Sequence, residues 1–397
     1  MTSDPHLPQE GEPQATQPQG LPAPAGWSAP QGLPAPAGSS AGSEPPPARV
    51  LIVRTGAIGD VVNALTLAAA LKDARAPARP VTIGWLVHPL SAPLLEGGGL
   101  VDHVFRVPRG QGLLGLRGYR AALGAAREHA WDLAIDLQRI AKSALLARLS
   151  GAPRVLGWDR VRAKEGAWLL VRERVARTDP HKHMVEQYAD FARHLGLAPR
   201  EPFGLLARDP GAAARWAAHP WQGPVAVVNV GASTPQKRWA PERFGAVAAA
   251  LAATGKHVVL TGNGADDRAA AGTALATAHA AGAPHVESLV DHTTLPELTE
   301  LLARAELFVG CDTGPMHMAV SLGCRTLALF GTGRARRTGP YGARADGPIR
   351  VVYAGAAATS PDAPFDGVPA PLTELTSERV IAHALALHDL PRPAPIP

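Results

Sequence analysis

Cysteine is scarce in this chain: Cys311 and Cys324 are the two thiols in 397 residues. That excludes a disulfide scaffold, so the fold has to rest on buried cores, and the pair reads as two buried thiols rather than a bridge. Lysine and arginine are absent before Arg49. The net charge of +5 therefore understates how basic the remainder is. Anionic partners such as a nucleotide or a phosphorylated lipid head group are expected, and nucleic acid is not. Long apolar runs are missing too; none reaches the ~18 residues that span a bilayer. The first residues carry neither a basic n-region nor an apolar h-region, so no secretory signal is expected and the cytoplasm is the expected compartment.

Proline and glycine, 39 and 41 residues, are plentiful but unevenly spread. Residues 1–47 are rich in Pro, Ala, Gly and Gln, and QGLPAPAG occurs at 19–26 and again at 31–38. Such a segment cannot bury enough apolar surface to offset its ordering entropy, so 1–47 is predicted to be a disordered tail. The remaining length allows two domains. Residues 50–53 (VLIV) read as a buried strand, followed by the Gly-rich turn RTGAIGD at 54–60 and an Ala-rich helix over 61–74. Strands at 81–87, around 103–107 and at 133–137 then alternate with helices at 119–129 and 142–150, and a helix follows at 184–195. Alternation of this kind means a parallel sheet with helices on both faces. Residues 197–224 read as a Pro-rich, irregular crossing that contains the domain boundary. The pattern restarts with strands at 225–229, 258–260, 286–288 and 307–309, and helices at 241–254, from Asp266 and at 295–303. A last helix at 377–388 has Ser377 as its N-cap. The predicted class is α/β: two Rossmann-like, doubly wound domains (48–208 and 209–375) facing across a cleft, with 376–397 as a C-terminal helix and loose tail.

The chemistry centres on residues 307–317, LFVGCDTGPMH. A short apolar strand runs into a turn, and Pro315 suits the first position of the following helix. Free N–H groups and the positive end of the helix dipole then face the carboxyl edge of the sheet, a corner suited to a pyrophosphate. Asp312 either forms the turn by bonding its own backbone or accepts hydrogen bonds from sugar hydroxyls; an apolar strand delivering it to the sheet edge favours the second, and a sugar nucleotide then fits both parts. His317, in the first turn, either donates to a phosphate or packs as a buried imidazole. Met316 and Met318 beside it read as core. Lys237 precedes Trp239 in a polar loop at 231–239 and is either a phosphate ligand or a solvent-exposed lysine; Arg238 shares that choice. Asp60 stands at the strand-to-helix junction, where open α/β sheets hold ligands, and is either a general base or a cap for the helix it opens. Lys142 and the cations of 154–177 (Arg154, Arg160, Arg162, Lys164, Arg172, Arg174, Arg177) are either a solvated face or a holder of acidic groups. No DxD motif closes a strand, and Asp266-Asp267 reads as a charge pair at a helix start. His181 and His183, two apart, do not share a helix face, so no metal and no cofactor is expected.

Four segments together, GxxGD ending at Asp60, DLQxxxKS at 136–143, GxxxxxKRW at 231–239 and DTGxxH at 312–317, resemble glycosyltransferase family 9, the ADP-heptose lipopolysaccharide heptosyltransferases. The resemblance covers nearly all of 49–388. It implies a GT-B fold and metal-independent, inverting transfer from an ADP-sugar to an anionic glycolipid or polysaccharide, with peripheral contact at the inner face of the cytoplasmic membrane. It assigns Asp60 as catalytic base. It places Ser233, Lys237, Asp312, Thr313 and Gly314 at the donor; Arg238 and His317 are further donor candidates, and Gly56, Gly59, Gln138, Lys142 and Lys164 are the candidates for the acceptor. The loop GTGRARRTGPYG after Phe330, with Arg334, Arg336 and Arg337, departs from the family pattern, as does the N-terminal extension. Alternatives are a GT-B enzyme or epimerase using a UDP- or GDP-sugar, and a non-catalytic sugar-nucleotide-binding protein. A nicotinamide dehydrogenase is disfavoured, because the first turn is not GxGxxG and no acid ends the second strand.

Overall fold

A computed structural model describes residues 47–74, 80–108, 112–221, 223–356 and 365–390. The tail predicted to be disordered lies outside the described residues except for its last position, as does the chain after residue 390.

Six strands form the first sheet: β1 (Arg49–Val53), β2 (Thr82–Val87), β3 (His103–Arg106), β4 (Leu133–Asp136), β5 (Arg154–Gly157) and β6 (Glu173–Arg174). Their order is β3-β2-β1-β4-β5-β6 and every pairing is parallel. The near-continuous apolar sequence of β1 follows from its place in the middle, where helices cover both faces. Those helices are α1 (Ile58–Asp73), α2 (Gly112–Arg127), α3 (Ala141–Leu149) and α4 (Met184–His194). After α5 (Pro210–Ala217) the second sheet is built from β7 (Val225–Asn229), β8 (His257–Thr261), β9 (Val286–Ser288), β10 (Leu307–Cys311), β11 (Arg325–Phe330) and β12 (Ile349–Tyr353). Its order, β12-β11-β10-β7-β8-β9, repeats the first with β7 in the place of β1 and β10 in the place of β4. Helices α6 (Pro241–Ala252), α7 (Ala265–Ala280), α8 (Leu295–Arg304), α9 (Gly314–Ser321), α10 (Ala335–Thr338) and α11 (Ser377–His388) complete this lobe. The last packs on α6, which ties the C-terminal helix to the second lobe.

Several elements differ from the sequence reading. Helix α2 begins at Gly112, earlier than predicted, because Gly118 does not interrupt it: a Cβ there would stand 2.4 Å from Pro108 Cγ, so the glycine permits close packing. The crossing at 197–224 contains α5, whose start is set by Asp209, accepting from the Ala212 N–H, and by Pro210 at its first position. The cation-rich segment 154–177 supplies β5 and β6. Cys311 and Cys324 are buried free thiols, and Met316 and Met318 are core residues, as expected. One apolar cluster runs through both lobes, joining Val61, Leu65 and Tyr188 to Met316, Ala319 and Phe308.

Candidate active site

In a doubly wound sheet the strand order reverses next to the first strand, and the loops leaving the two strands there diverge to open a crevice. The reversals fall between β1 and β4 and between β7 and β10. The four sequence motifs are the four loops at these two points. Each sheet therefore brings its own pair of motifs together, and the remaining question is how the pairs meet.

On the first lobe, Asp60 lies inside the first turn of α1, not at its cap; Ala57 occupies the cap position and makes no side-chain cap bond. The capping role is thus not the one Asp60 plays. Its carboxylate forms an ion pair with Arg54, a buried guanidinium at the end of β1 that the sequence reading did not single out. Gln138 Oε1 accepts from the Thr55 N–H at 2.7 Å and from Thr55 Oγ1 at 2.5 Å, fastening the loop after β4 to the loop after β1. Asp136 accepts from the Gln138 N–H at 2.9 Å, and burial pushes its carboxyl up to about 6. Lys142 Nζ stands 3.9 Å from the centroid of the Tyr119 ring. Asp60, Arg54, Thr55, Gln138, Lys142 and Tyr119, with Gly56, His88 and Ser143, line a cavity of about 440 Å³.

On the second lobe, Lys237 ends a short 3₁₀ turn and its Nζ lies 2.6 Å from Asp312 Oδ2. Helix α9 starts at Gly314, one residue before the predicted position, so its unpaired N–H groups open beside Asp312. Thr313 Oγ1 lies 3.5 Å from Asn229 Oδ1 at the end of β7. His317 is buried with Nδ1 3.5 Å from Asn63 Nδ2 of α1. Burial lowers its pKa, against the opposing pull of the Asp312 and Asp60 carboxylates.

The two lobes enclose a cleft of about 710 Å³. Asp60 and Gly59 line it from one side, and Ser233, Lys237, Asp312, Thr313, Gly314 and His317 from the other. Asp60 borders the cleft and the first-lobe cavity alike. Three residues fall elsewhere than the sequence suggested. Arg238 turns to Asp266 (3.0 Å) and Asp267 (3.4 Å) instead of lining the cleft. Lys164 is exposed and lines neither cavity. Gly59 faces His317 and the cleft rather than the first-lobe cavity. His183 caps α4, accepting from the Val185 N–H, and its Nε2 donates to Gly339 O of the second lobe at 2.9 Å. Lining groups that carried no motif signal include Asn263, Thr294 and Leu298, which come from loops distant in sequence. Among the described residues, no cluster of three or more His, Cys, Asp or Glu is placed to hold a metal ion, and no helix is long and apolar enough to cross a membrane.

The sequence pattern of glycosyltransferase family 9 (heptosyltransferase) matches residues 120–354, more than half of the chain. The chain belongs to glycosyltransferase family 9. This glycosyltransferase is 29% identical over 309 residues to lipopolysaccharide heptosyltransferase 1 of Pseudomonas aeruginosa, covering 74% of this chain and 81% of that one. It is 27% identical over 351 residues to lipopolysaccharide heptosyltransferase 2 of Escherichia coli, covering 85% and 98%. Among solved structures it is similar to the E. coli heptosyltransferase WaaC with ADP, with a TM-score of 0.68 at 23% identity over 85% of this chain and 99% of that one. E. coli ADP-heptose lipopolysaccharide heptosyltransferase II gives a TM-score of 0.67 at 22% identity, over 85% and 98%. The architecture of two parallel sheets facing across a cleft is the GT-B fold.

Proposed function

We propose that this glycosyltransferase moves a heptose, or a similar sugar, from an ADP-sugar to an anionic, lipopolysaccharide-core-like glycan at the inner face of the cytoplasmic membrane, with inversion and without a divalent cation. The observation that carries the reading is the position of Asp60 on the shared border of two cavities, one wholly in the first lobe and one between the lobes. The names of the relatives, lipopolysaccharide heptosyltransferases, supply the sugar and the acceptor class.

In this reading the first-lobe cavity takes the acceptor, with Lys142 available to its acidic groups. The diphosphate lies in the cleft against Lys237 and the N-terminus of α9, and Asp312 accepts from hydroxyls of the donor. Asp60 takes the proton of the attacking hydroxyl as that oxygen bonds to the anomeric carbon and the bond to the diphosphate breaks. Base and leaving group are held by opposite walls of the cleft, so attack comes from the face away from ADP and the anomeric configuration inverts. Negative charge developing on the departing diphosphate meets the Lys237 ammonium and the α9 N–H groups. Arg54 fixes the Asp60 carboxylate from the first-lobe side.

The test is a donor screen in chelator-containing buffer with ADP-, UDP- and GDP-sugars and a soluble core oligosaccharide, read by mass spectrometry and by the configuration of the product. Transfer from an ADP-heptose with inversion is expected. Transfer only from a UDP- or GDP-sugar, a requirement for a divalent cation, or retention would overturn the corresponding part of the reading.

A further inference from the structure

Helix α3 has two working sides. Lys142, Ser143 and Leu146 line the first-lobe cavity. Leu145 and Leu149, four residues apart and so on one face, leave 44% and 41% of their surfaces in water. The 3₁₀ turn at 167–169 packs against α3, with Ala167, Leu146 and Ala147 in one buried apolar cluster, and Leu169 at its end is 66% exposed. Val161, in the same segment, is 51% exposed. Among the described residues the remaining large exposed apolar side chains are Leu90 and Val368, so exposure of this kind is concentrated on α3 and its neighbouring segment. Scattered surface leucines need no explanation, whereas a group on adjoining elements does. None of the four lines the cavities described above.

The same segments are cationic. Arg148, Arg160, Lys164, Arg172, Arg174 and Arg177 are exposed, and none has a carboxylate partner among the described residues. The local acids are already engaged: Asp159 pairs with the buried Arg162, Glu173 with Arg154, and Glu165 accepts from the Ala141 N–H. Trp168 is half-buried with the Arg160 guanidinium 4.9 Å from its ring centroid. Arg172 and Arg174 donate to the carbonyls of Pro153 and Trp168, which leaves their charge unneutralised; protruding leucines, an indole and cations without carboxylate partners are the combination that settles at the boundary between acyl chains and anionic head groups.

We propose that the outer face of α3 and the segment 158–177 dock this enzyme on an anionic phospholipid bilayer. The proposal rests on the glycolipid acceptor inferred above: a glycan whose lipid stays in the membrane enters the first-lobe cavity past the helix that carries the exposed leucines. The experiment is flotation of the full chain with vesicles of phosphatidylcholine alone or with one-third phosphatidylglycerol. Flotation with the anionic vesicles only, weakening as salt rises, is expected. Leu145→Ser, Leu149→Ser and Leu169→Ser together should abolish it, and Arg172→Gln with Arg174→Gln should weaken it roughly tenfold or more. Turnover on a delipidated, water-soluble acceptor should be unchanged in both variants, because none of these residues lines the site. Flotation and turnover are read separately, so loss of the transfer reading and loss of the docking surface give different results. Equal binding to both vesicle types, or variants that float like the wild type, overturns the proposal. No flotation with anionic vesicles also overturns it, in favour of a protein occupant.

Discussion

Gly59 in the first turn of α1 is pressed so closely on the imidazole of His317 that a Cβ there would stand 2.3 Å from His317 Cδ2. The contact is reciprocal, because a Cβ on Gly314 would stand 2.7 Å from Ile58 Cβ. The starts of α1 and α9 thus touch across the lobe boundary, each through a glycine. Gly59→Ala is expected to destabilise the protein by about 1–3 kcal/mol through overpacking. Adding His317→Ala should return most of that loss relative to His317→Ala alone, as measured by chemical denaturation. An unchanged midpoint in Gly59→Ala would show that the contact yields without cost.

Asp60→Asn keeps the size of the side chain and removes its basicity. Turnover should fall by about 10²–10⁴, the range for loss of a positioned general base, while ADP affinity by calorimetry stays close to wild type. A variant turning over at the wild-type rate would remove Asp60 from the chemistry.

Lys237→Ala takes away the cation that faces Asp312 at 2.6 Å. ADP binding should weaken by about 1.5–3 kcal/mol, roughly 10- to 100-fold, as for loss of a charged hydrogen bond. Calorimetry giving the wild-type affinity would place Lys237 outside the diphosphate site.

Two groups, the buried Asp136 and the half-buried His183, give the stability profile opposing slopes in acid. His183 is lowered by burial from 6.5 to about 4, so the unfolded chain takes a proton that the folded one refuses. Its contribution is present above pH 6.5 and is lost as the pH falls toward 4. Asp136 is raised by burial from 3.8 to about 6, so the folded chain keeps a proton that the unfolded one releases. Its contribution is present below pH 3.8 and is lost as the pH rises through 6. Each slope amounts to at most roughly 1.4 kcal/mol per pH unit. Relative to wild type, His183→Asn should lose stability as the pH rises through this window, and Asp136→Asn as it falls. Urea titrations at stepped pH check both; parallel profiles for all three proteins would sink the assignment.

The sheets and the motifs were legible because the signals are local: apolar runs such as 50–53 and 307–309, and glycines at the turns that follow them. Strand order was not legible, since nothing near β1 in the sequence states that β4 lies beside it. Arg54 went unnoticed because a cation at a strand end is commonplace until the fold returns Asp60 to it. Arg238 and Lys237 are adjacent and alike in sequence, and only the position of the Asp266-Asp267 pair separates them. Gly59 stands among the acceptor residues in sequence, whereas the space beside it is filled by His317, whose presence depends on how the two lobes meet.

That meeting point also bears on motion. A rocking of one lobe about the Gly59–His317 contact would move the parts of the cleft far from that contact most, while Asp60, beside the pivot, would scarcely be displaced. Opening would then admit and release a bulky nucleotide without spoiling the alignment at the carboxylate, much as a door swings furthest from its hinge.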